Sequence, residues 1–298
     1  MIRIPSSKCI YSMNPKTPPV TEVDPGETVV FETKDCFSNQ IQTERDLFAN
    51  VGWATINPAT GPVAIRGAQP GDVLAAKILD IKVSEKGYMV AVPKMGALGH
   101  IITHSQTKIV PIIDGYAMFN DRIRLPISPM IGVIGTAPKT EDIPNGTPGA
   151  HGGNMDTRLI TEGTNLYLPV FVEGANLAVG DLHAVMADGE VVICGIESPG
   201  EVTIHVNIVK GKTLTSPVLE TEDNFYCIAS AESLDKAAAS SLDYTAEFLK
   251  TRLPLSINEI AMLMSLVCNL QISQIVDPLK TVRVEIPKRA FERYQLRF

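Results

Sequence analysis

Turn residues fall at short intervals along this chain and cut most of it into strand-length apolar segments. No other feature restricts its fold as strongly. Asp24-Pro25-Gly26 precedes Thr28-Val-Val-Phe-Glu-Thr33, and Pro70-Gly71-Asp72 precedes the longer run Val73 to Val83. Ile131-Gly-Val-Ile134 and Leu168-Pro-Val-Phe-Val172 are short apolar runs between Gly and Pro. Glu201 to Val209 alternates cleanly. Val202, Ile204, Val206 and Ile208 share one face, and Thr203, His205 and Asn207 the other. Short strands spaced this way predict a mainly β fold with a sandwich-like body over about residues 1–229.

The pattern changes after about residue 230. Ser230 to Lys250 is rich in Ala, Leu, Glu and Lys and holds no Pro or Gly, so it predicts a helix. Ser256-Ile-Asn-Glu259 has the form of a capping box. It opens a mostly apolar second helix, expected to stop before Asp277-Pro278. Thr281 to Ile286 alternates again and predicts a final strand. The two helices and this strand form a helical C-terminal portion over about 230–298. No linker sets it apart, so 1–298 is read as a single domain.

Composition removes several classes of function. Hydrophobic residues make up 45% of the 298, which is globular rather than disordered. A net charge of −7 argues against binding nucleic acid, which needs clustered Lys and Arg. The longest apolar stretch, Ile260 to Ile272, is too short for a membrane span and is read as a buried helix, so no membrane partner is expected. The N-terminal Met1-Ile-Arg-Ile-Pro5 has no basic segment leading into an apolar one, so no signal peptide is expected. Five widely spaced cysteines, with no C-x-x-C, read as buried thiols of a cytoplasmic protein.

Polar residues concentrate in three places: Asp35 to Gln40, His151-Gly-Gly-Asn154-Met-Asp156, and Gly180-Asp181-Leu-His183 with Asp188-Gly189-Glu190 and Glu197. Residues two apart on a strand share a face, so Asp181 can converge with His183, and Asn154 with Asp156. One His among carboxylates and amide oxygens is a plausible donor set for Zn²⁺ or another divalent ion. Other polar residues read as structural. Asp72 fits a turn cap, His205 a solvated strand face, His100 and His104 loop or surface, and Cys36 a buried inert thiol. The region 63–75 resembles 170–184 as a weak internal repeat, in which Leu74 corresponds to His183. No G-x-S-x-G elbow, P-loop or dinucleotide fingerprint is present.

Ordered blocks carry a resemblance. They are Asn57-Pro-Ala-Thr-Gly-Pro62, Gly67 to Ala75, Pro126 to Pro138, Pro148-Gly-Ala-His-Gly-Gly-Asn-Met-Asp156, Leu168 to Val172, Gly180-Asp-Leu-His-Ala184 and Gly189-Glu190. Together they resemble the acetamidase/formamidase family, although the stretch Val92 to Pro111 has no counterpart in that resemblance. The resemblance implies an amidohydrolase that cleaves a small linear amide to a carboxylate and ammonia. It further implies a cytoplasmic homodimer or higher homo-oligomer, with a divalent metal, zinc or alternatively calcium. Carried onto this sequence by position, the site candidates are Asp35, His151, Asn154, Asp156, Asp181, His183 and Glu197. In a metal-assisted hydrolase, His183 and Asp181 with Asp156 would bind the ion, and His151 or Asp35 would complete the set. Glu173 or Glu197 would serve as acid/base. Asn154 or a Gly-Gly amide would steady the oxyanion. Two other readings stay open: a γ-lactam or cyclic-imide hydrolase, and a non-catalytic β-sandwich binding module. The separation of Asp156 and His183 discriminates between enzyme and module.

Overall fold

The computed structural model describes residues 1–298, the side chain of Trp53 excepted. Two large sheets hold nearly all of the strands. One has nine strands, in the order Ile2–Ile4, Thr28–Thr33, Gly200–Val209, Val73–Val83, Asn165–Pro169, Val218–Glu220, Asn224–Ala231, Lys280–Pro287 and Asn269–Gln274. The other has eleven, and the strand Leu177–His183 lies at its centre. That strand pairs with Met130–Gly135, with Glu197–Ser198 and with Ala59–Ile65.

The sheets face each other across the main core. Phe31, Val202 and Ile204 come from the nine-stranded sheet, and Ile131, Val179 and Leu182 from the other. The alternation read in Glu201–Val209 has this cause: Val202, Ile204 and Val206 are fully buried there. Burying such β-branched side chains stabilises the body by about 1.5–3 kcal/mol each. The two similar segments also touch, since the Gly71 amide donates to the Val170 carbonyl and the Val170 amide to the Asp72 carbonyl. The Asp72 side chain accepts from the Gln69 amide, as a turn cap does.

Helix α1, Leu234–Lys250, is capped by the Ser233 hydroxyl. Helix α2, Ile257–Val267, opens on the Ser256/Glu259 capping box with both reciprocal bonds made. A second core, which includes Phe248, Leu249 and Ile260, packs them onto Phe225 and Ile286 of the nine-stranded sheet. Helix α2 ends earlier than the apolar run suggests. From Asn269 the chain becomes the edge strand Asn269–Gln274, so two strands rather than one follow the helices. Here Leu270 and Ile272 alternate with polar residues, a period that fits a strand, and hydrogen bonds to Lys280–Pro287 hold it. Among the described residues, no helix is long and apolar enough to cross a membrane.

Candidate active site

The central strand changes phase where the polar residues begin. Leu177 and Val179 point into the main core, and regular alternation would send residues 181 and 183 there too. Asp181 instead adopts a left-handed backbone, φ 55°, and Leu182 fills the core in its place. Asp181 and His183 consequently turn away from the core and line a cavity of about 1000 Å³. Asp156 (φ 39°) and Glu190 (φ 49°) are also left-handed. Such conformations cost a non-glycine residue of order 1 kcal/mol or more and gather where function demands them.

Four strands and loops bring acids around one imidazole. His183 Nε2 lies 3.1 Å from Glu197 Oε1, 3.5 Å from Asp181 Oδ1 and 3.7 Å from Asp156 Oδ1. His183 and Glu197 are cross-strand partners. Asp156 follows the strand Gly152–Asn154, and Glu190 sits on the loop between His183 and Glu197. Two glycines make the packing possible. A Cβ on Gly132 would come within 2.5 Å of Asp156 Oδ1 and 2.6 Å of Asp181 Oδ2, and one on Gly195 within 2.8 Å of His183 Nδ1.

Burial without compensating cations shapes the electrostatics. It pushes Glu197 up to about 8 and, with Asp181 beside it, Asp156 to about 6. Glu190 is also held well above the usual carboxylate range, by burial first and then by Asp156. Burial alone would lower His183, but the Glu197 and Asp181 charges outweigh it and keep the imidazole proton well above its ordinary range. One oxygen each of Asp156, Asp181, Glu190 and Glu197 is buried with no hydrogen-bond partner. Buried acceptors are normally satisfied, so four orphans gathered around one imidazole make a place that could hold a cation. Among the described residues, Asp156, His183 and Glu190 place ligand atoms within 4.8 Å of one another, as do Cys36, Asp181 and Glu197. These nitrogen, oxygen and sulfur donors fit a divalent ion.

The other expected site residues lie at varying distances from this cluster. Asn154 lines the cavity, with Nδ2 donating to Asp277 (3.0 Å) and Oδ1 unpartnered. Asp35 is buried beside the cluster. Its Oδ1 accepts the Asn39 amide, its Oδ2 has no partner, and burial raises it to about 6. His151 is buried against Gly149 and Gly153 and is not among the residues lining the cavity. Glu173 is exposed on a turn and does not line the cavity either, because the strand expected through Val172 ends at Pro169. His100 and His104 are exposed.

The structure adds residues the sequence reading left out. Asp277, from the turn joining the last two strands, and Lys280, at the start of the second, line the same cavity as Cys36. The Lys280 ammonium donates to the Asp277 carbonyl, and burial followed by the neighbouring Asp156 raises the Asp277 carboxyl well above its ordinary value. Cys36 is itself held well above the ordinary thiol range by burial, so it is no thiolate without a cation. The loop that carries Glu190 is anchored by Arg283. Its guanidinium donates to both Asp188 oxygens, at 3.0 and 2.7 Å. The only signal for Arg283 was a charge on the apolar strand Thr281–Ile286.

Comparison with known proteins gives a consistent result. The family model described as acetamidase/formamidase matches residues 7–147 and 142–293. That match runs through 92–111, the stretch without a counterpart in the sequence resemblance. The crystal structure of an acetamidase from Bacillus halodurans is 48% identical, with a TM-score of 0.97, covering 99% of this chain and all of that one. An acetamidase of Mycolicibacterium smegmatis is 28% identical over 66% of this chain and 65% of its own length. A formamidase of Methylophilus methylotrophus is 25% identical over 66% and 63%. The chain thus spans a little under two thirds of the length of these two relatives.

Proposed function

The chain belongs to the acetamidase/formamidase family, and from that premise we propose that it hydrolyses small linear amides, of the formamide or acetamide type, to a carboxylate and ammonia. The proposal extends to a zinc-dependent protein, with calcium as the alternative ion, working in the cytoplasm as a homodimer or higher homo-oligomer. The observation that carries it is the set of four orphaned carboxylate oxygens around His183, on Asp156 and on the cavity-lining Asp181, Glu190 and Glu197.

Asp156, His183 and Glu190 would hold the ion, with Asp181 and Glu197 beside them and Asp35 near Asp181. Mixed nitrogen and oxygen donors favour zinc, since calcium takes oxygen ligands alone. A bound ion in an open site supplies carbonyl polarisation and lowers the pKa of water to about 7.

The side chains do the rest. Glu197 keeps Oε1 on the Gly195 amide, at 2.9 Å, leaving Oε2 to receive a proton from water and return it to the departing nitrogen. With Nδ2 bonded to Asp277, Asn154 presents Oδ1, an acceptor suited to the N–H of a substrate amide. This reverses the oxyanion role expected from its sequence, which needs a donor. The exposed Glu173 has no part in this scheme.

Ammonia release from formamide and acetamide tests the proposal. Metal-replete protein that releases none from either would overturn it.

A further inference from the structure

The cavity is large for the amides named above. Its volume of about 1000 Å³ stands at the upper end of the range that houses drug-sized ligands, whereas formamide and acetamide have only three or four heavy atoms. Its composition is also uneven. Asp181, Glu190, Glu197, His183 and Asn154 line it, and so do Phe37, Phe48, Ile56, Met95, Ile193 and Val276.

Five of these six belong to a separate apolar cluster, built by the segment 36–56 on residues 88–95 and 192–194. Phe37 and Phe48 meet edge to face, with centroids 6.0 Å apart. The main core draws nothing from this cluster. Cys36 belongs to both the cluster and one of the two possible ligand triads, so the apolar wall begins directly beside the acids. A pocket built only for a one-carbon or two-carbon acyl group has no use for a preformed aromatic wall of this extent.

Resting on the amide-hydrolase reading, we infer that the preferred substrate is a primary amide whose acyl group carries an apolar, ring-sized substituent, of which phenylacetamide is the model. The leaving group is ammonia, so the apolar part belongs to the acyl side. Water oxygen bonds to the carbonyl carbon, the carbon–nitrogen bond breaks, and the nitrogen leaves as ammonia with a proton from that water. The arylalkyl carboxylate and a proton remain.

The experiment compares kcat/KM for formamide, acetamide, butyramide and phenylacetamide, with calorimetric binding of phenylacetamide and acetamide alongside. Burial of a ring against the wall raises kcat/KM for phenylacetamide over acetamide by about 10- to 100-fold, and binding follows the same order. Phe48→Ala and Ile56→Ala each narrow that ratio by about threefold or more. Rates that are flat or fall as the acyl group grows would overturn the inference and leave the amidase reading standing. Absence of turnover on every amide would overturn the amidase reading. The binding order then decides the inference alone, with phenylacetamide tighter in support and equal or weaker against.

Discussion

His183 and Glu197 face each other across two antiparallel strands, with the imidazole Nε2 3.1 Å from the carboxylate Oε1 and neither side chain more than 1% exposed. The pair leaves Glu197 with one free oxygen. Glu197→Gln keeps the shape and removes the base, so kcat should fall by about 10²- to 10⁴-fold with metal content retained. A variant with unchanged kcat would remove Glu197 from proton transfer.

The same residue sets a pH dependence in metal-free protein. Its folded pKa, raised to about 8 by burial, exceeds its unfolded value near 4.5, so the folded state binds the proton more tightly. The resulting stabilisation is full below about pH 4.5 and is lost as pH rises through about 8. Glu197→Gln cannot ionise. In chelator, its stability relative to the parent should therefore rise by a few kcal/mol between pH 4.5 and 8. Denaturant midpoints that stay parallel across that window would contradict this.

Gly132 lies under two carboxylates with no room for a methyl group. Gly132→Ala should push Asp156 and Asp181 apart and weaken metal binding at least tenfold, as measured by metal content after dialysis. Parental metal content would show that moving these two side chains does not disturb the ion's ligands.

Much of this arrangement was legible because it rests on local chemistry. The alternation of Val202, Ile204 and Val206 marked a strand with one buried face, and Ser256 with Glu259 marked a helix start. Asp181 and His183 could be paired by spacing, though not by the right route. Ordinary alternation would have sent both into the core, and the left-handed turn at Asp181 that redirects them has no signature in a single aspartate. Asp277 and Lys280 stayed hidden for another reason. They lie about 120 residues beyond Asp156, and only the hairpin formed by the last two strands carries them to the cavity. The edge strand Asn269–Gln274 was hidden inside an apolar run that reads equally well as helix.

His151 titrates in the opposite sense to Glu197. Burial lowers its pKa from 6.5 to about 4, so the folded state resists the proton that the unfolded chain accepts. Its contribution is full above about pH 6.5 and falls away toward pH 4, by about 3 kcal/mol. His151→Asn should lose less stability than the parent over that interval in urea titrations. An equal loss would mean that the imidazole charges freely in place.

Arg283 ties the last strand to the loop that carries Glu190 through two hydrogen bonds to Asp188. Lysine cannot make that bidentate contact. Arg283→Lys should lower the denaturation midpoint by the equivalent of a few kcal/mol and reduce metal affinity, because Glu190 is no longer held. Full stability with full metal affinity would show that the loop holds its shape without the clamp.

At the centre of this reading, Asp156, His183 and Glu190 hold a catalytic divalent ion within the buried acidic cluster. Ammonia release from acetamide should be followed on one preparation as isolated, after exhaustive chelation, and after addition of Zn²⁺ or Ca²⁺. Activity should vanish on chelation and return with stoichiometric zinc. Full turnover by protein shown to be free of metal would contradict the claim.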